Sequence, residues 1–137
     1  MPRRTDARNP ADWLWICESD MSALRVLTEK EVGFHACQGK LAEVLEKILK
    51  AELIRVGWAL EKTHDLERLL DALVTWKSDL ISQVEPLVDV LSEVYFVTRY
   101  PGFDLDDPDW PALRQQVEEV GGLLDVIKAR VTPPPKN

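Results

Sequence analysis

An imidazole and a carboxylate stand side by side in the tetrapeptide Thr63-His64-Asp65-Leu66, and they form the first candidate binding site. The leucine opens a helical apolar pattern, so both polar side chains are expected where a helix begins. The alternative is structural, because Thr63 and Asp65 are good helix caps and His64 can face the solvent. The residues alone leave both interpretations open.

A second candidate site lies in the segment Thr98-Arg99-Tyr100-Pro101-Gly102. Pro101 disfavours helical geometry at the residue before it, so a helix must stop here with an arginine and an aromatic ring at its end. Arg99 could pair a phosphate through two hydrogen bonds, and Tyr100 could stack on a base. The alternative is a structural salt bridge beside a packed ring.

Two lysines could add positive potential to such a site. Lys47 and Lys50 are three residues apart in a helical pattern, so they are expected to share a face. The alternative is that both are solvated lysines beside Glu43 and Glu46.

Standard catalytic and metal-binding patterns are missing from the sequence. The only histidines, His35 and His64, form no HExxH pattern and have no cysteine or second histidine at zinc-like spacing. Neither standard glycine-rich phosphate loop is present. The acidic segment 104–109 lacks the ligand order of an EF-hand and is interpreted as a loop and helix cap. We therefore predict no catalytic residue, no metal and no cofactor.

Composition and charge limit the class of protein. The 137-residue chain has 24 acidic and 17 basic residues, for a net charge of −7. Proteins that hold duplex nucleic acid usually have the opposite balance, so any such contact needs a local basic site. No apolar run reaches the roughly 20 residues of a membrane span. Because no secretory signal is evident and Cys17 and Cys37 form no CxxC pair, we expect a cytoplasmic protein with reduced, buried thiols and no membrane contact.

Five helices are expected to position the candidate residues. Asn9 caps the first and Pro10 suits its first position. The second has the broadest apolar stripe and should lie at the centre of a bundle. Pro86 lies inside the fourth and could kink it. The helices are expected at about residues 10–29, 34–57, 66–73, 80–100 and from about 108 onward.

The predicted fold class is therefore all-α, an up-and-down helical bundle of about five helices. No stretch alternates at period two, and no repeat or second domain is evident, so residues 1–137 are predicted to form a single domain. Residues 1–8 are expected to be a flexible N-terminus, and residues 132–137, with three consecutive prolines, an extended tail. Gly121-Gly122 should weaken the last helix and permit a close helix crossing.

The chain resembles the short prokaryotic members of the HEPN family along roughly residues 9–130. Five short stretches carry the resemblance through their order and spacing. They are Asn9-Pro10-Ala11-Asp12-Trp13-Leu14, Val32-Gly33-Phe34-His35-Ala36-Cys37-Gln38, Glu46-Lys47-Ile48-Leu49-Lys50-Ala51, Thr63-His64-Asp65-Leu66 and Arg99-Tyr100-Pro101-Gly102.

The resemblance implies a bundle in which two long antiparallel helices carry the core, and a frequent homodimer. It also implies nucleotide binding and, for many members, a toxin–antitoxin pairing with a minimal nucleotidyltransferase. A large branch of the family are metal-independent ribonucleases, which depend on an arginine followed a few residues later by a histidine. Arg99 is followed by no histidine in this sequence, so the family ribonuclease motif is absent.

Two hypotheses of different classes follow. The first is a non-catalytic or weakly catalytic HEPN protein that binds a nucleotide, an RNA end or a partner nucleotidyltransferase in a groove that a homodimer forms or completes. Its ligand-binding candidates are Arg99 and Tyr100 first, then His64 and Asp65, with Lys47 and Lys50 in support. The alternative is a non-catalytic protein–protein interaction or oligomerisation module that uses broad apolar faces and exposed tryptophans among Trp58, Trp76 and Trp110.

Overall fold

The computed structural model describes residues 2–131, and this part of the chain is all-α. The Pro-rich tail predicted for residues 132–137 lies outside the described residues. In chain order the helices are α1 (Pro10–Glu29), α2 (Phe34–Arg55), α3 (Leu66–Thr75), α4 (Ile81–Leu91), the single turn α5 (Val94–Val97) and α6 (Trp110–Val131).

The residues at the start of α1 and in the turn before α2 explain why these two helices form a hairpin. The Asn9 side chain accepts a hydrogen bond from the backbone N–H of Ala11, and Pro10 occupies the first turn of α1. Gly33 has a φ of 69°, a left-handed conformation that glycine adopts without a side-chain penalty. The short turn before α2 makes the two helices antiparallel, and the predicted start and end of α1 are confirmed.

The third long helix, α6, runs antiparallel to α1. Near its start Arg114 pairs with Glu31, which follows the end of α1, and near its end Lys128 pairs with Glu18 in the first half of α1. The helix has 22 residues, as many as α2, and it packs against both α1 and α2. The predicted all-α helical bundle with two long antiparallel core helices is confirmed for the described residues, with α1 and α2 as that pair.

The core is centred on α2, as its broad apolar stripe predicts. This helix packs against α1, α3, α4, α5 and α6, and the buried side chains of these elements belong to one apolar cluster. A helix with neighbours on several sides needs apolar residues around much of its circumference. Fully buried members on α2 are Leu41, Ala42, Val44, Leu45, Ile48, Leu49, Ala51 and Leu53.

The expected fourth helix, from about residue 80 to 100, is wrong as a single element. The structure ends α4 at Leu91 and starts the short α5 at Val94. Pro86 lies inside α4 and is not the site of the break. The break allows α5 to approach α2, where the Thr98 hydroxyl oxygen lies 2.7 Å from the position that a Cβ atom on Gly39 would take. The end of α5 therefore packs closely against α2 at Gly39.

The last helix begins where the acidic loop ends. The Asp109 side chain accepts a hydrogen bond from the backbone N–H of Ala112, which agrees with the interpretation of this segment as a loop and cap. A Cβ atom on Gly121 would lie 2.8 Å from a guanidinium nitrogen of Arg25 on α1, which is the movable end of a side chain, so the close helix crossing stays a prediction. Gly122 has no such neighbour within 4 Å.

The residues before α1 contact that helix. Arg3 pairs with Asp12 at 2.7 Å, the backbone N–H of Asp6 donates to the same carboxylate, and the Trp13 indole donates to the Ala7 carbonyl. The flexibility expected of residues 1–8 stays a prediction. None of the described helices is long and apolar enough to cross a membrane.

Both cysteine thiols are buried, as predicted, and neither is in a disulfide. Burial raises the pKa of the Cys17 thiol to about 12 and also raises the pKa of Cys37. Since the thiolate is the reactive form, such a pKa lowers the reactive fraction of Cys17 at neutral pH by roughly 1000-fold. We expect both thiols to react slowly with a disulfide reagent such as DTNB in the native protein and rapidly in guanidinium. Prompt reaction of the native protein would contradict this burial.

Candidate functional site

Two of the predicted site residues meet on a tyrosine ring. The Tyr95 ring stacks on the His64 imidazole, with centroids 5.1 Å apart and an interplanar angle of 14°. The Arg99 guanidinium carbon lies 3.9 Å from the centroid of the same ring, a cation–π contact. His64 comes from the loop before α3, whereas Tyr95 and Arg99 come from α5 and the turn after it. Tyr95, which is not among the residues predicted from sequence, therefore joins two segments that are distant in the chain.

A buried glutamate of α2 supports the imidazole. One carboxylate oxygen of Glu46 lies 2.9 Å from His64 Nδ1, and the other accepts a hydrogen bond from Lys50 Nζ, also at 2.9 Å. The side chains of Glu46 and Lys50 are only 7% and 5% exposed, whereas His64 is 60% exposed. Within residues 2–131, His64 Nε2 has no hydrogen-bond partner. The imidazole is thus fixed on one nitrogen and open to a ligand on the other.

A second glutamate, one turn earlier on α2, holds the arginine. One carboxylate oxygen of Glu43 pairs with Arg99, and the other pairs with Lys40 Nζ at 2.8 Å. Burial raises the pKa of the Glu43 carboxyl, but the hydrogen bond from Lys40 and the nearby positive charges outweigh it and hold that pKa below its ordinary value. Glu43 is therefore a charged carboxylate shared by two cations.

These contacts define a connected set of side chains, called here the Tyr95 cluster. Its members are Glu43, Glu46, Lys50, His64, Tyr95 and Arg99. Each cation of the cluster has a carboxylate partner, so the cluster is not a bare basic patch. It can hold an anion at the partly exposed Arg99 and offer a hydrogen bond at His64. Among the described residues, no group of three or more His, Cys, Asp or Glu side chains is placed to hold a metal ion.

The sequence model of the HEPN domain matches residues 11–127, which is most of the chain. The chain belongs to the HEPN family. No curated protein and no solved structure gives a significant match. Three of the stretches that carry the family resemblance supply members of the Tyr95 cluster, because they contain Glu46 with Lys50, His64 and Arg99 respectively. In this HEPN domain three of the five resembling segments thus meet at the Tyr95 cluster.

Tyr100 is placed differently from its neighbour. Its side chain is 61% exposed and makes no ring contact within the described part of the domain. The exposed rings of Phe96 and Phe103 lie close to it in the chain. Tyr100 is therefore free to stack on a ligand, while Tyr95 serves as the internal support of Arg99.

The two lysines of α2 do not act as a pair. Lys47 contacts Asp20 of α1 at 3.2 Å, whereas Lys50 lies in the buried pair with Glu46 and within 5.6 Å of the Trp13 ring centroid. Each lysine is matched by one carboxylate, so the added positive potential expected from them is largely neutralised.

Asp65 lies at the helix start, where it caps the first turn of α3. Its side chain accepts hydrogen bonds from the backbone N–H groups of Glu67 and Arg68. The adjacent Thr63 hydroxyl accepts one from the backbone N–H of Asp65. These contacts hold the loop that carries His64, so the helix cap also positions the imidazole.

Three members of the cluster were not candidates from the sequence: Glu43, Glu46 and Tyr95. A signal existed for Tyr95, because it lies four residues before Arg99, a spacing that places two helical side chains on one face. Glu46 is likewise four residues before Lys50. The pairing of Glu46 with His64 had no such local signal.

Proposed function

We propose that this HEPN domain binds a nucleotide or an RNA end through a phosphate group at Arg99. The supporting observation is that the guanidinium rests on the Tyr95 ring, is 29% exposed and is already engaged with an anionic group, Glu43. An arginine ordered in this way loses less conformational freedom when it binds a phosphate.

The other groups near Arg99 suit the same ligand. His64 Nε2 can donate to or accept from a ribose or phosphate oxygen, and the exposed Tyr100 ring can stack on a base. The proposed role is recognition without bond-making, since Arg99 is followed by no histidine, whereas the ribonuclease motif of the family requires one. In keeping with the family, the domain would act as a homodimer and pair with a minimal nucleotidyltransferase as a toxin–antitoxin system.

A second candidate function is a protein interaction module. A mainly apolar groove of about 350 Å³ lies between α1 and α2, and its lining includes the partly exposed Leu27 and Val32. Of the three tryptophans considered from the sequence, Trp76 is 44% exposed, whereas Trp58 and Trp110 are partly buried against the core. Exposed apolar surface of this kind often marks a binding interface.

Replacing Arg99 with alanine is the direct test of the binding proposal. We expect the wild-type protein to bind adenosine 5′-monophosphate or a 5′-phosphorylated RNA trinucleotide, and Arg99→Ala to weaken that binding by at least about tenfold. Isothermal titration gives the affinity, and native mass spectrometry gives the oligomeric state with bound ligand.

Arg114→Ala is the matched control, because Arg114 pairs with a single glutamate on the α1–α6 side and lies outside the Tyr95 cluster. It should leave the affinity unchanged. Equal affinities for wild type and Arg99→Ala would overturn the assignment of Arg99. A dimer that binds neither ligand would contradict the binding proposal and favour the protein interaction module.

A further inference from the structure

Glu46 determines which nitrogen of the His64 imidazole is free. A carboxylate only accepts hydrogen bonds, so the 2.9 Å contact between Glu46 and His64 Nδ1 requires that Nδ1 carry the proton. The neutral ring therefore has its lone pair on Nε2. Glu46 is itself held in place, because its side chain is only 7% exposed and its other oxygen accepts a hydrogen bond from Lys50 Nζ.

The free nitrogen is also accessible. The His64 side chain is 60% exposed, and Nε2 has no hydrogen-bond partner within residues 2–131. Glu46 holds one edge of the ring, and Tyr95 stacks on its face. An imidazole with this support is a prepared nucleophile, because its tautomer and its orientation are set before a reagent arrives.

We propose that His64 Nε2 is a modification site that accepts a phosphoryl group from small donors of the phosphoramidate or acyl phosphate class. The inference goes beyond the proposed function and does not depend on it. The two uses of His64 exclude each other, because a phosphoryl group on Nε2 occupies the nitrogen that is otherwise offered to a ligand.

The charges around the imidazole suit a phosphoryl group. Glu46 and Lys50 neutralise each other, and the partly exposed Arg99 guanidinium lies on the same Tyr95 ring as His64. A phosphoryl group on a side chain carries a charge of about −1.5 to −2 near neutral pH, and a nearby arginine stabilises that charge. An acyl group on the same nitrogen is uncharged and gains nothing from Arg99.

The transfer step needs only the donor and the imidazole. The Nε2 lone pair attacks phosphorus and forms an N–P bond, while the bond from phosphorus to the leaving group breaks with its electron pair. From phosphoramidate the leaving group departs as ammonia, after it has taken a proton from solvent. The imidazole keeps its Nδ1 proton, so the phosphorylated ring is positively charged and the Glu46 carboxylate stabilises it.

His35 is an internal control, because it is the other histidine of the chain. Its ring packs edge-to-face with Phe34, and its Nδ1 is buried without a hydrogen-bond partner in the described part of the chain. No carboxylate sets its tautomer. His35 therefore lacks both the support and the exposure that prepare His64.

The test treats the folded protein with potassium phosphoramidate at neutral pH, with N-acetylhistidine in the same solution as a fully exposed reference imidazole. We expect His64 to be phosphorylated at least about tenfold faster than N-acetylhistidine, and His35 more slowly than both. Mass spectrometry of peptides locates the phosphoryl group, and phosphorus-31 NMR distinguishes attachment at Nε2 from attachment at Nδ1 or oxygen.

The double variant Glu46→Gln/Lys50→Met removes the carboxylate charge without leaving the buried ammonium unpaired, and its amide oxygen can still accept from Nδ1. It should lose the rate advantage, so that His64 reacts within about threefold of N-acetylhistidine. Glu18→Gln is the matched control, because it removes the same charge from an ion pair with Lys128 outside the Tyr95 cluster and should keep the wild-type rate.

Two results would overturn the inference. If wild-type His64 reacted no faster than N-acetylhistidine, exposure alone would account for its reactivity. If His35 reacted before His64, the support from Glu46 and Tyr95 would not prepare the acceptor. Neither result bears on phosphate binding at Arg99, which the titration of Arg99→Ala tests separately.

Discussion

Replacing Glu46 with leucine is expected to lower the free energy of unfolding by about 3–5 kcal/mol, because it leaves the buried Lys50 ammonium without its partner. The lysine side chain is 5% exposed and pairs with Glu46 at 2.9 Å. Solvent cannot replace the lost carboxylate at such a position, and the neighbouring Trp13 ring offers only a weak cation–π contact. Urea denaturation monitored by circular dichroism measures the change.

The double variant Glu46→Leu/Lys50→Met distinguishes two causes of lost stability, the unpaired buried charge of Lys50 and the changed side-chain packing at position 46. It removes both ions, and buried ion pairs are often replaced by apolar residues at little cost. We expect it to recover most of the stability that the single variant loses. Glu18→Ala breaks an exposed pair and should change stability by no more than about 1 kcal/mol. If Glu46→Leu changed the free energy of unfolding no more than Glu18→Ala does, the Lys50 ammonium would have to be solvated in the variant, which would contradict its burial.

The double variant also tests whether the ion pair has a role beyond stability. Glu46 holds His64 Nδ1, so its loss should free the imidazole from the Tyr95 ring even where the fold is restored. If the double variant were stable but bound the ligand more weakly, the role of the buried ion pair would be to position His64 rather than to stabilise the fold.

Local signals explain which parts of the fold were predictable. The start of α1 follows from Asn9 and Pro10, and the start of α3 follows from Asp65, because a cap involves only residues a few positions apart. The central position of α2 follows from the width of its apolar stripe. Each of these features is encoded by neighbours in sequence.

The break between α4 and α5 had no comparable signal. Ser92 and Glu93 both keep helical backbone angles, and the only proline of the region, Pro86, lies within α4. Beyond the break, Thr98 lies close to Gly39 of α2, which is far from it in the chain. Tertiary packing overrides local preference here.

The candidate site was predictable in its cations but not in their partners. The chemistry of Arg99 and His64 makes them candidates from sequence, and the structure brings both onto the Tyr95 ring. The carboxylates that hold them come from α2, across separations of 56 and 18 residues. A sequence without long-range information cannot pair such residues.

Gly39 links the fold to the site, and Gly39→Ala is expected to damage both. Alanine is a better helix former than glycine by about 1 kcal/mol, but its Cβ atom would lie 2.7 Å from the Thr98 hydroxyl oxygen. The Thr98 hydroxyl donates a hydrogen bond to the Val94 carbonyl, so relief of the clash must either break that bond or shift α5. We expect a net loss of about 1–3 kcal/mol in the free energy of unfolding.

The same shift should move Tyr95 and Arg99 away from α2 and weaken binding of the phosphorylated trinucleotide by about tenfold. Thr98→Ala in the same chain removes the clashing oxygen and leaves only a Cβ contact at 3.5 Å, so the double variant should recover stability and binding. Gly122→Ala, which meets nothing within 4 Å, should instead stabilise α6 by about 0.5–1 kcal/mol. If Gly39→Ala behaved like Gly122→Ala, the close approach of α5 to α2 would not be what positions Arg99.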